Sequence, residues 1–192
     1  MKNSVIKLLS IIFGAVVTPV QAIDNSAAEY SGRTANDFLI ADRLLQHSFA
    51  TSHVRIYAQS EKVGEYVVII PSLGRGVEDY TEAYNSTITT RLVEAGYRVV
   101  LIQPRGIGKS TGDLTPQNAS MSLFAQDIMS CLEALEIGKA NLVGHAFGNR
   151  LARTFASLYP QHVDDLVLLA AGGNFELNEE QIASLRDSFD LK

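Results

Sequence analysis

Gly144-His145-Ala146-Phe147-Gly148 has the spacing of a nucleophile elbow, G-x-S-x-G, with an alanine methyl where the attacking hydroxyl would stand. The two glycines, Gly144 and Gly148, leave room for a strand to turn sharply into a helix around a central residue in a strained backbone conformation. Acyl transfer needs a nucleophile at that point, and a methyl group cannot attack a carbonyl. It also needs a histidine to take the proton and an acid to orient that histidine. The histidines are His47, His53, His145 and His162. His145 stands beside the elbow, with packing support as its expected role. His162 lies in the Pro160-Gln161-His162-Val163 turn as a solvated surface residue, and His47 and His53 precede the first hairpin.

The other candidates for chemistry are structural on the same reading. Glu78, Asp79 and Asp113 are acids near the expected pocket, and Glu78 and Asp79 fall at a helix start, where negative charge suits the dipole. Arg75, Arg105 and Arg150 are able to line an anion site, though scattered surface arginines are the default. Gly108-Lys109-Ser110 ends like a P-loop, but Gln103 occupies the position that needs the first glycine. No His/Cys/Asp/Glu cluster has metal-ligand spacing, so neither a metal nor a cofactor is expected.

Composition bounds the rest. The chain has 192 residues, 46% hydrophobic and 19% charged, enough for one globular domain with a real core. Lys2 and Lys7, the apolar run Leu8 to Val17, Pro19 and Val20-Gln21-Ala22 make residues 1–22 a secretory signal peptide, too short to be a comfortable membrane span. Cleavage after Ala22 removes two lysines and takes the net charge from −5 to −7. An acidic, exported (periplasmic or secreted) domain is a poor partner for nucleic acid or anionic lipid. No stable membrane anchor remains after cleavage. Cys131, the one cysteine, forms no internal disulfide and is expected as a buried, inert thiol.

These residues must be positioned by alternating strands and helices. Residues 23 to about 36 read as a loose lead-in, and Phe38, Leu39, Leu44 and Leu45 as a short helix. Val54 to Ala58 alternates like a strand, Glu61-Lys62-Val63-Gly64 is a turn, and Tyr66 to Ile70 is a continuously apolar strand covered on both faces. Tyr80, Tyr84, Ile88 and Leu92 step along one helix face, which Gly96 stops. Val99 to Ile102 is the next buried strand. Ser120 caps a helix bearing Leu123, Phe124, Ile128, Cys131, Leu132 and Leu135. Asn141 to Val143 leads into the elbow, Leu151 to Leu158 is the helix after it, and Val163 to Ala171 is a further strand. Asn178 with Gln181 opens a last helix carrying Ile182, Leu185 and Phe189. The pattern predicts an α/β domain with a mostly parallel central sheet.

Three segments in order resemble the α/β-hydrolase superfamily, specifically its single-domain esterase-like branch. They are Pro71-Ser72-Leu73-Gly74-Arg75-Gly76 after a buried strand, Gln103-Pro104-Arg105-Gly106-Ile107-Gly108-Lys109-Ser110 after the next, and the elbow. The second resembles the family's D-x-R-G-x-G-x-S loop, with Gln103 in place of the acid. The resemblance covers about residues 50 to 175. It implies helices on both faces of the sheet, a partial core over 23–175, the start of a lid or cap helix over 176–192, and absence of the last strands. It implies that the backbone N–H groups of Leu73 and Phe147 form the oxyanion hole beneath a reacting carbonyl at Ala146, with Ser72, Arg75, His145 and Arg105 as binding residues.

The family reaction is hydrolysis of an ester or similar acyl bond. The family's late acid and late histidine have no counterpart in this sequence, so the chain is expected to be weakly active or inactive. The alternatives are a non-catalytic binding module for a small apolar or acyl ligand, and a truncated fragment whose uncovered sheet edge needs a partner.

Overall fold

In a computed structural model the described residues are 32–33, 38–48, 50–59, 64–81, 86–172 and 178–180. Two largely apolar strands form the centre. β4 (Tyr66–Ile70) and β5 (Arg98–Ile102) pair in parallel, with Val68 opposite Val100. Their apolar residues alternate between two cores. Val68, Ile70, Val100 and Ile102 face one, and Val67, Ile69, Val99 and Leu101 face the other. That two-sided burial explains why these strands read as unbroken hydrophobic runs.

β7 (Ala140–His145) adds in parallel on the far side of β4, and β8 (Val163–Leu169) adds in parallel to β7. On the other side an antiparallel extension is built from β1 (Gly32–Arg33), β2 (Leu39–His47) and β3 (Ala50–Ala58), and the short β6 (Thr111–Gly112) also pairs with β3. The resulting order is β1-β2-β3-β5-β4-β7-β8.

Helices cover both faces. α2 (Met121–Ala134) and α3 (Phe147–Leu158) close one core, where Ile128, Leu132 and Phe155 are buried. α1 (Ile88–Glu94) and a 3₁₀ turn (Val77–Tyr80) close the other with Val93, Val77 and Tyr80. Ser120 caps α2 as expected, its hydroxyl accepting from the Leu123 N–H at 3.2 Å.

Several expectations are corrected. Phe38 to Leu45 is not a short helix. Leu39–His47 pairs residue for residue with β3, from Leu39 opposite Ala58 to His47 opposite Ala50. Ala41, Leu45 and His47 turn inward while Leu44 is exposed, a period of two that cross-strand pairing imposes over local helix propensity. His47 and His53 therefore lie within the first hairpin rather than before it. β3 and β4 do not pair with each other, because β5 sits between them, and residues 61–63 of the expected turn lie outside the described residues.

Tyr80 does not share a helix with Ile88 and Leu92. Asp79 accepts from the Gly76 N–H at 2.8 Å to close a separate 3₁₀ turn, and Thr81 follows in extended backbone. In the lead-in, Gly32–Arg33 pairs with β2. The last strand ends at Leu169, where Ala170 turns with φ +52°. The signal-peptide reading of 1–22 and the helix face at Ile182, Leu185 and Phe189 lie outside the described residues.

Candidate active site at the elbow

The elbow forms where β7 runs into α3. Ala146 has φ +50° and ψ −108°, a strained conformation for a residue with a side chain. Three bonds hold it. The Ala146 N–H donates to the Leu169 carbonyl at 2.9 Å, Asn149 Nδ2 donates to the same oxygen at 2.8 Å, and the Asn149 N–H donates to the Ala146 carbonyl at 3.1 Å. The flanking glycines are required by close approach. A Cβ on Gly148 would stand 2.3 Å from the Ile70 carbonyl oxygen and 2.7 Å from that of Pro71. One on Gly144 would stand 2.7 Å from the Gly148 oxygen.

With α3 seated on the end of β4, the Phe147 N–H lies in its first turn, where no intrahelical acceptor exists. The Leu73 N–H makes no backbone hydrogen bond among the described residues. Leu73 and Phe147 border one cavity of about 180 Å³. Its walls are mostly apolar, from Ile70, Ile102, Ile107, Phe124 and Leu151, and Ser72 and Arg105 also line it.

A second, more open cavity of about 430 Å³ lies on the other side of the elbow, lined by Arg75, Asp79, Tyr80, Ser86, His145 and Leu169. The expected binding residues are thus divided. Ser72 and Arg105 share the apolar cavity with Leu73 and Phe147, while Arg75 and His145 share the polar one. Ala146 stands between His145 and Phe147 in the chain, so the two cavities flank the elbow.

Tyr80 ties the first loop to the elbow. Its oxygen accepts from the Ser72 N–H at 2.8 Å and lies 2.9 Å from His145 Nδ1, with the rings edge to face. With one lone pair taken by the Ser72 N–H, the Tyr80 hydroxyl keeps its proton free to donate to His145 Nδ1. Burial pushes the Tyr80 phenol up, so it stays a donor. His145 is therefore a hydrogen-bonded strut, beyond simple packing. Tyr80→Phe should lower stability by about 1–3 kcal/mol, because the Ser72 N–H loses its acceptor. Thermal unfolding checks it, and an unchanged midpoint would contradict the strut.

Arg105 is not a surface arginine. It is buried and grips Asp127 with two bonds, Nη2 to Oδ1 at 2.7 Å and Nε to Oδ2 at 3.0 Å. Its Nη1 also donates to the Asp113 and Asn118 carbonyls, fixing the loop after β5. Gln103, in the position of the family's acid, has its Oε1 2.7 Å from His53 Nδ1. His53 Nε2 lies 2.8 Å from Asp42 Oδ1, and Arg55 forks onto the same carboxylate. Burial alone would raise Asp42, but the bonds from Arg55 and His53 outweigh it and hold the carboxyl below its usual range.

The remaining candidates are structural. Glu78 pairs with Arg55 and Asp79 with Arg75. Asp113 accepts from the Thr115 N–H and from Asn118, which hold its carboxyl low. His162 is only partly exposed, and its Nδ1 donates to the Gly138 carbonyl at 2.6 Å, a tie between loops rather than a free surface group. Cys131 is fully buried, and burial pushes its thiol up to about 12, as an inert cysteine requires.

The sequence reading missed Ser52 and Asp127, both on the cavity wall. Asp127 carried a signal, an acid on the otherwise apolar face of α2.

The strand order, the elbow geometry and the two loops beside it define an α/β-hydrolase. The chain belongs to the α/β hydrolase fold family, whose model matches residues 65–190.

It is similar to the 2-hydroxy-6-oxo-6-phenylhexa-2,4-dienoate hydrolase of Burkholderia cepacia, at 30% identity over 122 residues, 64% of this chain and 42% of that protein. It is also similar to the 2-hydroxy-6-oxononadienedioate/2-hydroxy-6-oxononatrienedioate hydrolase of Escherichia coli K12, at 34% identity over 108 residues, 56% of this chain and 36% of that protein. The crystal structure of wild-type Cfl2 from Burkholderia cenocepacia shares the fold, with a TM-score of 0.64 and 21% identity, covering 79% of this chain and 50% of that one. The chain thus spans less than half the length of the curated relatives it matches.

Proposed function

We propose that this chain binds a small apolar acyl or ester-like compound in the cavity beside the elbow and does not turn it over through the elbow. The observation that carries this reading is that Leu73 and Phe147, whose N–H groups are the expected oxyanion donors, both line one apolar cavity beside an elbow that has Ala146 rather than a nucleophile. A carbonyl oxygen suits those donors, and a cavity of about 180 Å³ suits a short acyl chain or a single ring. The curated relatives are named as hydrolases, which supports hydrolysis as the chemistry this scaffold is related to. At Ala146 that chemistry lacks its first step. Residual turnover from an oxyanion hole alone would be about 10³–10⁴-fold over water.

The site is proposed to work outside the cytoplasm, on the strength of the basic and apolar start of the chain and its cleavage-like Val20-Gln21-Ala22. A covering partner for the sheet edge is supported by exposed Leu166 and Val167 on β8.

The test compares binding of 2-heptanone, followed by NMR, with steady hydrolysis of p-nitrophenyl butyrate. The unaltered chain should bind the ketone saturably and show no continuing hydrolysis. Leu73→Pro, which removes one donor, should weaken binding about tenfold or more. Ala146→Ser should not restore full turnover, because each described histidine is engaged elsewhere, His47 with Ser52, His53 with Gln103 and Asp42, His145 with Tyr80 and His162 with Gly138. Steady ester turnover by the unaltered chain that Leu73→Pro abolishes would overturn the reading, as would absence of ketone binding.

A further inference from the structure

A second group of polar side chains meets beside the apolar cavity, with Ser52 and Asp127 on its wall. His47, at the end of β2, places Nε2 3.0 Å from Ser52 Oγ on β3. Its other nitrogen, Nδ1, lies 3.5 Å from Asp127 Oδ1. That Nδ1 has no hydrogen-bond partner of good geometry among the described residues, which leaves the Asp127 carboxylate as the group it faces. The two Arg105 bonds fix the carboxylate in place. Ser52, Arg105 and Asp127 all line the cavity that Leu73 and Phe147 border. A hydroxyl bonded to Nε2, with a carboxylate 3.5 Å from Nδ1, is an open form of the serine-triad arrangement, which is recognised by geometry and roles rather than by position in the chain.

We propose that Ser52 is a nucleophile for small activated acyl compounds in this cavity, with His47 as its base and Asp127 as the positioning acid, and that the acyl group is captured rather than turned over. The inference rests on the cavity being a carbonyl-binding site, as read above, and adds a covalent step at a different residue from Ala146. In that step Ser52 Oγ bonds to the carbonyl carbon while its proton passes to His47 Nε2. The C–O bond to the alcohol then breaks, and the alcohol leaves with the proton from His47. The products are acyl-Ser52 and one free alcohol.

Hydrolysis of the adduct needs water in a space walled by Ile70, Ile102, Phe124 and Leu151, so the adduct accumulates. His47 is suited to the base role. Burial holds it below the ordinary histidine value, and although Asp127 opposes this, nearby Arg105 adds to it. Cys131 is the remaining titratable group against Ser52, and its high thiol value keeps it neutral.

The experiment mixes the purified chain with excess p-nitrophenyl butyrate and follows p-nitrophenolate release and intact mass. The expected result is a burst approaching one equivalent, a mass gain of one butyryl group, and mapping of that group to the peptide containing Ser52. Ser52→Ala should abolish the adduct. His47→Gln, which keeps a hydrogen-bonding side chain without its basicity, should slow the burst about 10²-fold or more. The burst rate should follow neutral His47, reaching half its plateau at a pH below the ordinary histidine value of 6.5.

If Ser52→Ala fails to fold by circular dichroism, Ser52→Cys, which keeps a nucleophile, and His47→Gln carry the test. An adduct at another residue, a Ser52→Ala chain that still labels, or no burst at all overturns the proposal. Where 2-heptanone still binds without an adduct, Ser52 chemistry fails and the carbonyl-binding reading stands. Where neither is seen, both fail.

Discussion

Replacing Arg105 with methionine is expected to lower the unfolding free energy by about 3–5 kcal/mol, the effect of stranding one member of a buried ion pair. Arg105 and Asp127 are almost wholly removed from water, with side-chain exposures of 1% and 8%. The substitution leaves an unpaired carboxylate beside His47, and it also frees the Asp113 and Asn118 carbonyls that Arg105 holds. Urea denaturation measures it. The double variant Arg105→Met with Asp127→Leu should recover much of the loss, because no charge is then left buried. A single-variant loss under about 1 kcal/mol, the value of a solvated surface pair, would mean that the pair is not buried as described.

Gly148→Ala is expected to cost about 3 kcal/mol or more and to abolish 2-heptanone binding together with the Ser52 burst. The added carbon would meet two backbone carbonyls, of Ile70 and Pro71, and backbone does not yield as the tip of a flexible side chain does. Relief requires the start of α3 to lift from the end of β4, which moves the Phe147 N–H away from the cavity. Calorimetry and NMR titration on the same sample separate the two losses. A variant of normal stability and normal binding would show that the strand and helix approach less closely than the structure has them.

The central strands were legible because burial on two faces leaves a plain mark. Tyr66 to Ile70 and Val99 to Ile102 are apolar throughout, and each run became a strand in parallel register. The elbow was legible for a different reason. Close backbone approach at Gly144 and Gly148 tolerates glycine and little else.

The β2–β3 hairpin was obscured because Ala41-Asp42-Arg43-Leu44-Leu45-Gln46 has good helix formers, and only its partner strand imposes the alternation. The polar groups on the cavity wall were the least legible. Ser52, His47 and Asp127 are brought together from β3, β2 and α2, and no local spacing in the chain announces that meeting. Arg105 misled for the same reason. Its surroundings in sequence are a polar loop, while its carboxylate partner lies on a helix that follows.

The Leu169 carbonyl accepts from both the Ala146 N–H and the Asn149 side chain. In the order of synthesis, the strained turn is therefore made more than twenty residues before the group that fastens it. A ribosome that has exposed β7 and α3 but not β8 displays an elbow free to relax to an ordinary backbone conformation. The site becomes competent only when the last residue of β8 docks, which makes docking of that strand a late checkpoint in the biogenesis of this chain.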